Sequence, residues 1–189
     1  MTRKFAGLLG SAMMALAVAA TPVSASMKEK TVTVGGAPMY ASKNIIQNAV
    51  NSKDHTTLVA AVKAAGLVDT LSGPGPFTVF APTNSAFAAL PAGTVDTLLK
   101  PENTGQLVKV LTYHVIPGKM SGKDLWARVK AGGGKTMLKT AAGEELTVSA
   151  MGSTLMLSGV GGGMGHVTIA DVNQSNGVIH VIDGVILPK

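Results

Sequence analysis

Two rhythms of apolar residues divide this chain near residue 110. Before it they recur every three or four positions, as on one face of a helix. Asn44 is placed to cap a helix over 45–50, and Asp54 or Thr56 to cap a second one running through Ala65. Leu58, Val59, Val62 and Ala65 form that helix's expected buried face, with Gly66 at its stop position. Gly73-Pro74-Gly75-Pro76 breaks the pattern, and Phe77 to Ala81 then reads as a strand, apolar apart from Thr78. Pro82 ends that strand. Thr83 is set to cap a helix over 84–90, Pro91-Ala92-Gly93 turns the chain, Thr94 caps 95–99, and Pro101 opens a helix over 102–110.

After this point the period shortens. Leu111 to Ile116 is a β-type run ended by Pro117-Gly118, and residues 121–129 predict a short helix carrying the only tryptophan, Trp126. Short strands are expected at 136–138, 146–149, 155–157, 167–170, 178–182 and 185–187, mostly separated by Gly143, Gly152, a glycine stretch over 159–165, and Gly177. Helices first and turn-punctuated strands afterwards indicate an α+β domain. The segment 178–182 is apolar on both faces apart from His180, as in an interior strand covered on two sides. It should therefore return to the middle of the fold.

The beginning of the chain stands apart. Arg3 and Lys4, an apolar stretch over 8–20 and the small-residue site Val23-Ser24-Ala25 form a secretory signal, cleaved after Ala25. Residues 26–43 read as a flexible lead-in, and 44–189 as one domain. Cleavage removes two of sixteen basic groups and no acidic ones, leaving +4 spread thinly over the chain. Without clustered basic residues and interleaved aromatics, nucleic-acid binding has no footprint. The absence of cysteine excludes disulfides, and packing alone must hold an exported domain of this size.

Three ordered segments carry a resemblance. Gly75 to Leu90, with Phe77, Thr78, Phe80, Pro82, Thr83, Asn84 and Phe87, is similar to the first signature of the fasciclin (FAS1) domain family. Asn176 to Pro188, with Gly177, His180, Ile182, Asp183 and Pro188, resembles the second, and Tyr113-His114 lies between them. The resemblance implies a wedge-shaped β-sandwich of two sheets with helices along one side and edge. It also implies a non-catalytic module for adhesion or matrix interaction, with a cell-surface or matrix protein or glycan as partner. Separately, the short N-terminal apolar stretch leaves no membrane span after cleavage, and a monomer is expected. Leu111, Tyr113, His114, Val115 and Ile116 are the partner-binding positions it suggests. From the residues alone, His114 reads first as a neutral packing group bonded near Thr83 or Asn84, since buried polar groups find partners. A ligand carrier or enzyme using a helix–sheet cleft, and a structural envelope protein, remain alternative readings.

Other chemistry is thinly supported. Gly134-Lys135-Thr136 mimics the end of a phosphate loop, but Val129 stands where its first glycine belongs, and a strand follows rather than a helix. His55, His114, His166 and His180 have no metal-ligand spacing, and in one strand His180 and Asp183 would face opposite ways, so neither metal nor cofactor is expected. Glu144-Glu145 sits in a turn context and reads as solvated. Met164 and His166 alone are too few for copper, and the 159–165 glycines read as a mobile hairpin or bulge-rich loop.

Overall fold

A computed structural model describes residues 31–189. The signal segment and residues 26–30 lie outside the described residues. In chain order the elements are β1 (Val32–Val34), β2 (Ala37–Met39), α1 (Ile45–Ala49), α2 (Thr56–Ala64), α3 (Val68–Ser72), β3 (Phe77–Pro82), α4 (Asn84–Ala88), α5 (Thr94–Leu98) and α6 (Thr104–Tyr113). There follow β4 (Val115–Pro117), α7 (Gly122–Ala131), β5 (Lys135–Lys139), β6 (Glu145–Met151), β7 (Thr154–Gly159), β8 (Met164–Gln174) and β9 (Gly177–Ile182). Strands β3 to β9 form one seven-stranded sheet in the order β4-β3-β9-β8-β7-β6-β5.

The late strand β9 sits inside that sheet, parallel to β3 and antiparallel to β8, as its two apolar faces require. Side-chain alternation then builds two cores. Val79 and Ala81 of β3 and Ile179 and Val181 of β9 face a first core, closed by Ile45, Leu58, Val62, Leu71, Phe87 and Leu107 from five helices. Phe80 and Ile182 face the other way, onto Leu138, Leu146, Val148, Leu155 and Leu157 of β5–β7 and Leu125 and Val129 of α7. β8 is long enough to serve both halves. Register shifts between Val167 and Val172 bend it from its β7 pairing to its β9 pairing, with Asp171 at φ 60°. The expected sandwich is thus one sheet folded over at β8.

Four expectations need correcting. Residues 32–39 form a hairpin, not a loose lead-in: Gly35 and Gly36 take φ of 58° and 76°, the turn that a two-residue hairpin demands. Its Val34 and Met39 are buried in the first core. The run Leu111 to Ile116 is not a strand throughout, because α6 continues to Tyr113 and β4 starts only at Val115. Residues 185–187 form no strand. Their backbone lies against the 159–163 loop, with Gly161 N–H donating to the Leu187 carbonyl and Leu187 N–H to that of Gly162. That loop is accordingly pinned rather than mobile: a Cβ on Gly161 would sit 1.8 Å from the Pro188 carbonyl oxygen. Beyond these four, α3 is a helix that the spacing did not reveal.

Candidate functional site

Tyr113 and His114 sit where α6 meets β4. The helix stops because the His114 ring replaces its next backbone bond, Nδ1–H donating to the Val110 carbonyl at 2.7 Å. The other ring nitrogen, Nε2, accepts from Ile186 N–H at 3.2 Å. Both partners are satisfied only by the neutral ring, and complete burial lowers its pKa from 6.5 to about 4. Those partners replace the Thr83 or Asn84 expected from sequence. Tyr113 points into the second core, where its hydroxyl donates to the Glu145 carbonyl at 2.7 Å and accepts from Val160 N–H at 3.1 Å. Burial pushes its phenol pKa up. The two side chains diverge, as anticipated, although from a helix end.

Leu111, Tyr113, His114, Val115 and Ile116, the expected binding face, are each at most 6% exposed. As folded, they offer a partner no surface. The two signature segments are equally internal. Thr78 Oγ1 donates to the Gly118 carbonyl at 2.6 Å and accepts from Met120 N–H at 2.9 Å. His180 stacks on Phe80 with ring centroids 5.6 Å apart, and its Nε2–H donates to the Met120 carbonyl at 2.9 Å. Its Nδ1 accepts from Asp171 N–H at 3.3 Å, which the β8 bulge turns inward; burial lowers this histidine's pKa as well. Thr83 caps α4 through Ala86 N–H, as expected. Asn84 does more than open α4: its Oδ1 accepts from Thr57 N–H at 3.0 Å, capping α2, for which neither Asp54 nor Thr56 provides a side-chain cap. Gly177 admits no other residue, since a Cβ there would lie 2.1 Å from the Phe77 carbonyl oxygen. Phe87 and Ile182 are buried, Pro82 closes β3, and Pro188 lies against Gly161.

Sequence reasoning passed over Asn176. Its Oδ1 accepts from Ile45 N–H at 3.0 Å, and its Nδ2 donates to the carbonyls of Leu71 and Gly73 at 2.8 and 3.0 Å. One buried amide therefore ties α1 and α3 to the start of β9. Asn48 plays a similar part, holding the Tyr40 backbone through both amide atoms and donating to Gln174 Oε1. An asparagine before glycine reads as a turn residue, which hid this role.

Concave sites differ sharply in character. Beneath α1 and α2 lie two apolar cavities of about 30 Å3 each, large enough only for isolated waters. Their titratable lining groups are Lys63 and His114 in one and His55 in the other. His55 is buried beside Ser52, Oγ to Nδ1 2.9 Å, its Nε2 lacks a hydrogen-bond partner, and burial lowers its pKa. By contrast, a surface groove of about 420 Å3 runs between α7 and β7–β8, lined by Lys123, Trp126, Ser153, Thr154, Thr168 and Asp171 among others. Trp126 is half-buried there, its ring packed partly on the second core. Among the described residues, no three His, Cys, Asp or Glu side chains gather as a metal centre, and no helix is long and apolar enough to cross a membrane.

Comparison with known proteins agrees with this architecture. Protein sll1483 of Synechocystis sp. is 50% identical over 160 residues, spanning 85% of this chain and 82% of that one. Immunogenic protein MPB70 of Mycobacterium bovis is 35% identical over 145 residues, spanning 74% of this chain and 66% of its own length. The solved FAS1 domain pair of the insect cell adhesion molecule Fasciclin I superposes with a TM-score of 0.66 at 16% identity, over 85% of this chain and 58% of that one. At that identity the likeness concerns the fold. The family model for the Fasciclin domain matches residues 53–188, from the turn before α2 to the segment that locks the glycine loop, and the chain belongs to that family.

Proposed function

We propose that this chain is an exported, monomeric adhesion-type module that binds a surface or matrix protein, or a glycan, and carries out no reaction. One observation carries the reading: the interior histidines of the signature segments, His114 and His180, are spent on structural hydrogen bonds, whereas the Trp126 groove is open and mixed in polarity. An aromatic ring beside hydroxyls, an ammonium and a carboxylate suits sugar or peptide recognition, and tryptophan is the residue most often dominant in such contacts. The Tyr113–His114 segment acts in this reading as the frame that fixes β4 and the 184–188 segment, and affects binding only through the fold. The apolar cavities argue against the alternative of a ligand carrier or enzyme, because polar groups do not converge in them.

The test is surface binding by the full chain and by Trp126→Ala, measured by interferometry against immobilised collagen, fibronectin and a glycan panel. Saturable binding weakened at least tenfold by the substitution, at unchanged melting temperature, is expected. No binding to any of these, or binding indifferent to Trp126, overturns the proposal.

A further inference from the structure

The outer face of the β5–β7 half-sheet carries methionines where polar residues belong. Met137, Met151 and Met164 are 59%, 59% and 64% exposed. Cross-strand register gathers two thioethers and an imidazole at one point of this face. Met156 of β7 lies directly opposite His166 of β8, and Met164 stands two residues before His166, opposite Ser158. Residues so related share a face, with directly opposed Cβ atoms about 5 Å apart and diagonal neighbours about 7–8 Å. Methionine's three flexible torsions span such gaps readily.

The imidazole is also oriented. Asp183 Oδ1 accepts from the His166 backbone N–H at 2.6 Å, and Oδ2 lies 3.3 Å from its Nδ1. Nδ1 is thereby engaged by a carboxylate, and Nε2, which has no hydrogen-bond partner among the described residues, is left as the donor atom. A carboxylate behind a ligating histidine is the usual device for fixing ring orientation and raising ligand basicity. Asp183, placed in the second signature by sequence, thus serves His166 rather than His180.

We propose that Met156, Met164 and His166 form a binding site for a soft monovalent cation, copper(I), with Asp183 as a positioning residue behind the histidine. Two neutral thioethers and one imidazole neutralise little charge, which suits a +1 ion, and soft sulfur donors select Cu(I) over the harder divalent metals. The site lies on the outer face of the sheet, apart from both cores and separate from the Trp126 groove.

The test titrates the full chain anaerobically with Cu(I) in competition with bicinchoninate, and in parallel with Ag(I), a redox-inert mimic. One equivalent of Cu(I) should bind. Met156→Leu, Met164→Leu and His166→Gln should each weaken it at least tenfold, and Asp183→Asn by less. Met137→Leu is the control, because Met137 lies on the same face three strands from Met164, about 14 Å away. In the unaltered chain, Ag(I) should shift the methyl NMR signals of Met156 and Met164 and leave that of Met137 in place. Absence of Cu(I) binding, equal weakening by Met137→Leu, or uniform shifts of all methionine methyls overturns the site.

Discussion

The two sides of β9 are held by different means. Toward the helices, short elements with modest apolar faces are pinned by single polar groups: Asn176 fastens α1 and α3, Asn84 caps α2, and Asn48 secures the hairpin. Toward the folded-over half-sheet, strand ladders and interdigitated Phe80, Ile182, Leu146 and Leu157 hold the elements. Thr78, His180 and Tyr113 add buried bonds there, to loop and strand backbone rather than to helix ends. A helix of five residues cannot sustain itself, so its terminal N–H and C=O groups must be met from elsewhere. Ladders satisfy their own backbone. On the helical side the asparagine pins therefore meet helix ends that secondary structure leaves open.

That contrast can be broken most severely at Asn176. Asn176→Ala leaves Ile45 N–H and the Leu71 and Gly73 carbonyls without this partner, and should cost about 3–5 kcal/mol in urea unfolding. A loss under 1 kcal/mol would show that the helical side does not depend on its pins. His114 lies between the two regions and gives the contrast a pH dependence. Its folded pKa, about 4, is below the ordinary 6.5, so the unfolded chain takes up the proton first as pH falls. The stability from its neutral form is complete above about pH 6.5, declines through the interval, and is lost by about pH 4, a change of roughly 3 kcal/mol. Burial of His180 and His55 acts in the same direction. His114→Asn should flatten the unfolding midpoint between pH 7 and 4; a slope parallel to the unaltered chain would remove His114 from this role. The smallest effect is expected on the sheet side. Tyr113→Phe removes one donor and one acceptor but keeps the ring, and should cost about 1–2 kcal/mol by thermal unfolding.

Sequence made the apolar strands legible because their alternation has one solution: β3 and β9 each need cover on two sides, and only an interior place provides it. Thr83 and Gly66 were also readable, since caps and stops act over a few residues; Gly66 takes φ 67° and closes α2 through Leu67 N–H to the Val62 carbonyl. The hairpin at 32–39 was written plainly in alternating residues around Gly35-Gly36, but composition made it look slack. The end of α6 was hidden because Leu111 to Ile116 is β-prone throughout, and its stop signal is an imidazole bonded four residues back. For the site, sequence located the Tyr-His pair but not its burial, which depends on segments brought together from residues 145, 160 and 186. The copper cluster was visible only as Met164 and His166, since Met156 and Asp183 join them through register alone.

The parallel pairing of β3 with β9 joins Phe77 to Gly177, so a hundred residues must emerge before β3 gains that neighbour, whereas β4 joins its other edge, Phe77 to Pro117, much earlier. Until then the β9 edge of β3 stays unpaired, and α1 and α3 lack their shared amide. Such separation slows acquisition of the native state. The keystone of this fold is thus delivered only near the end of the domain.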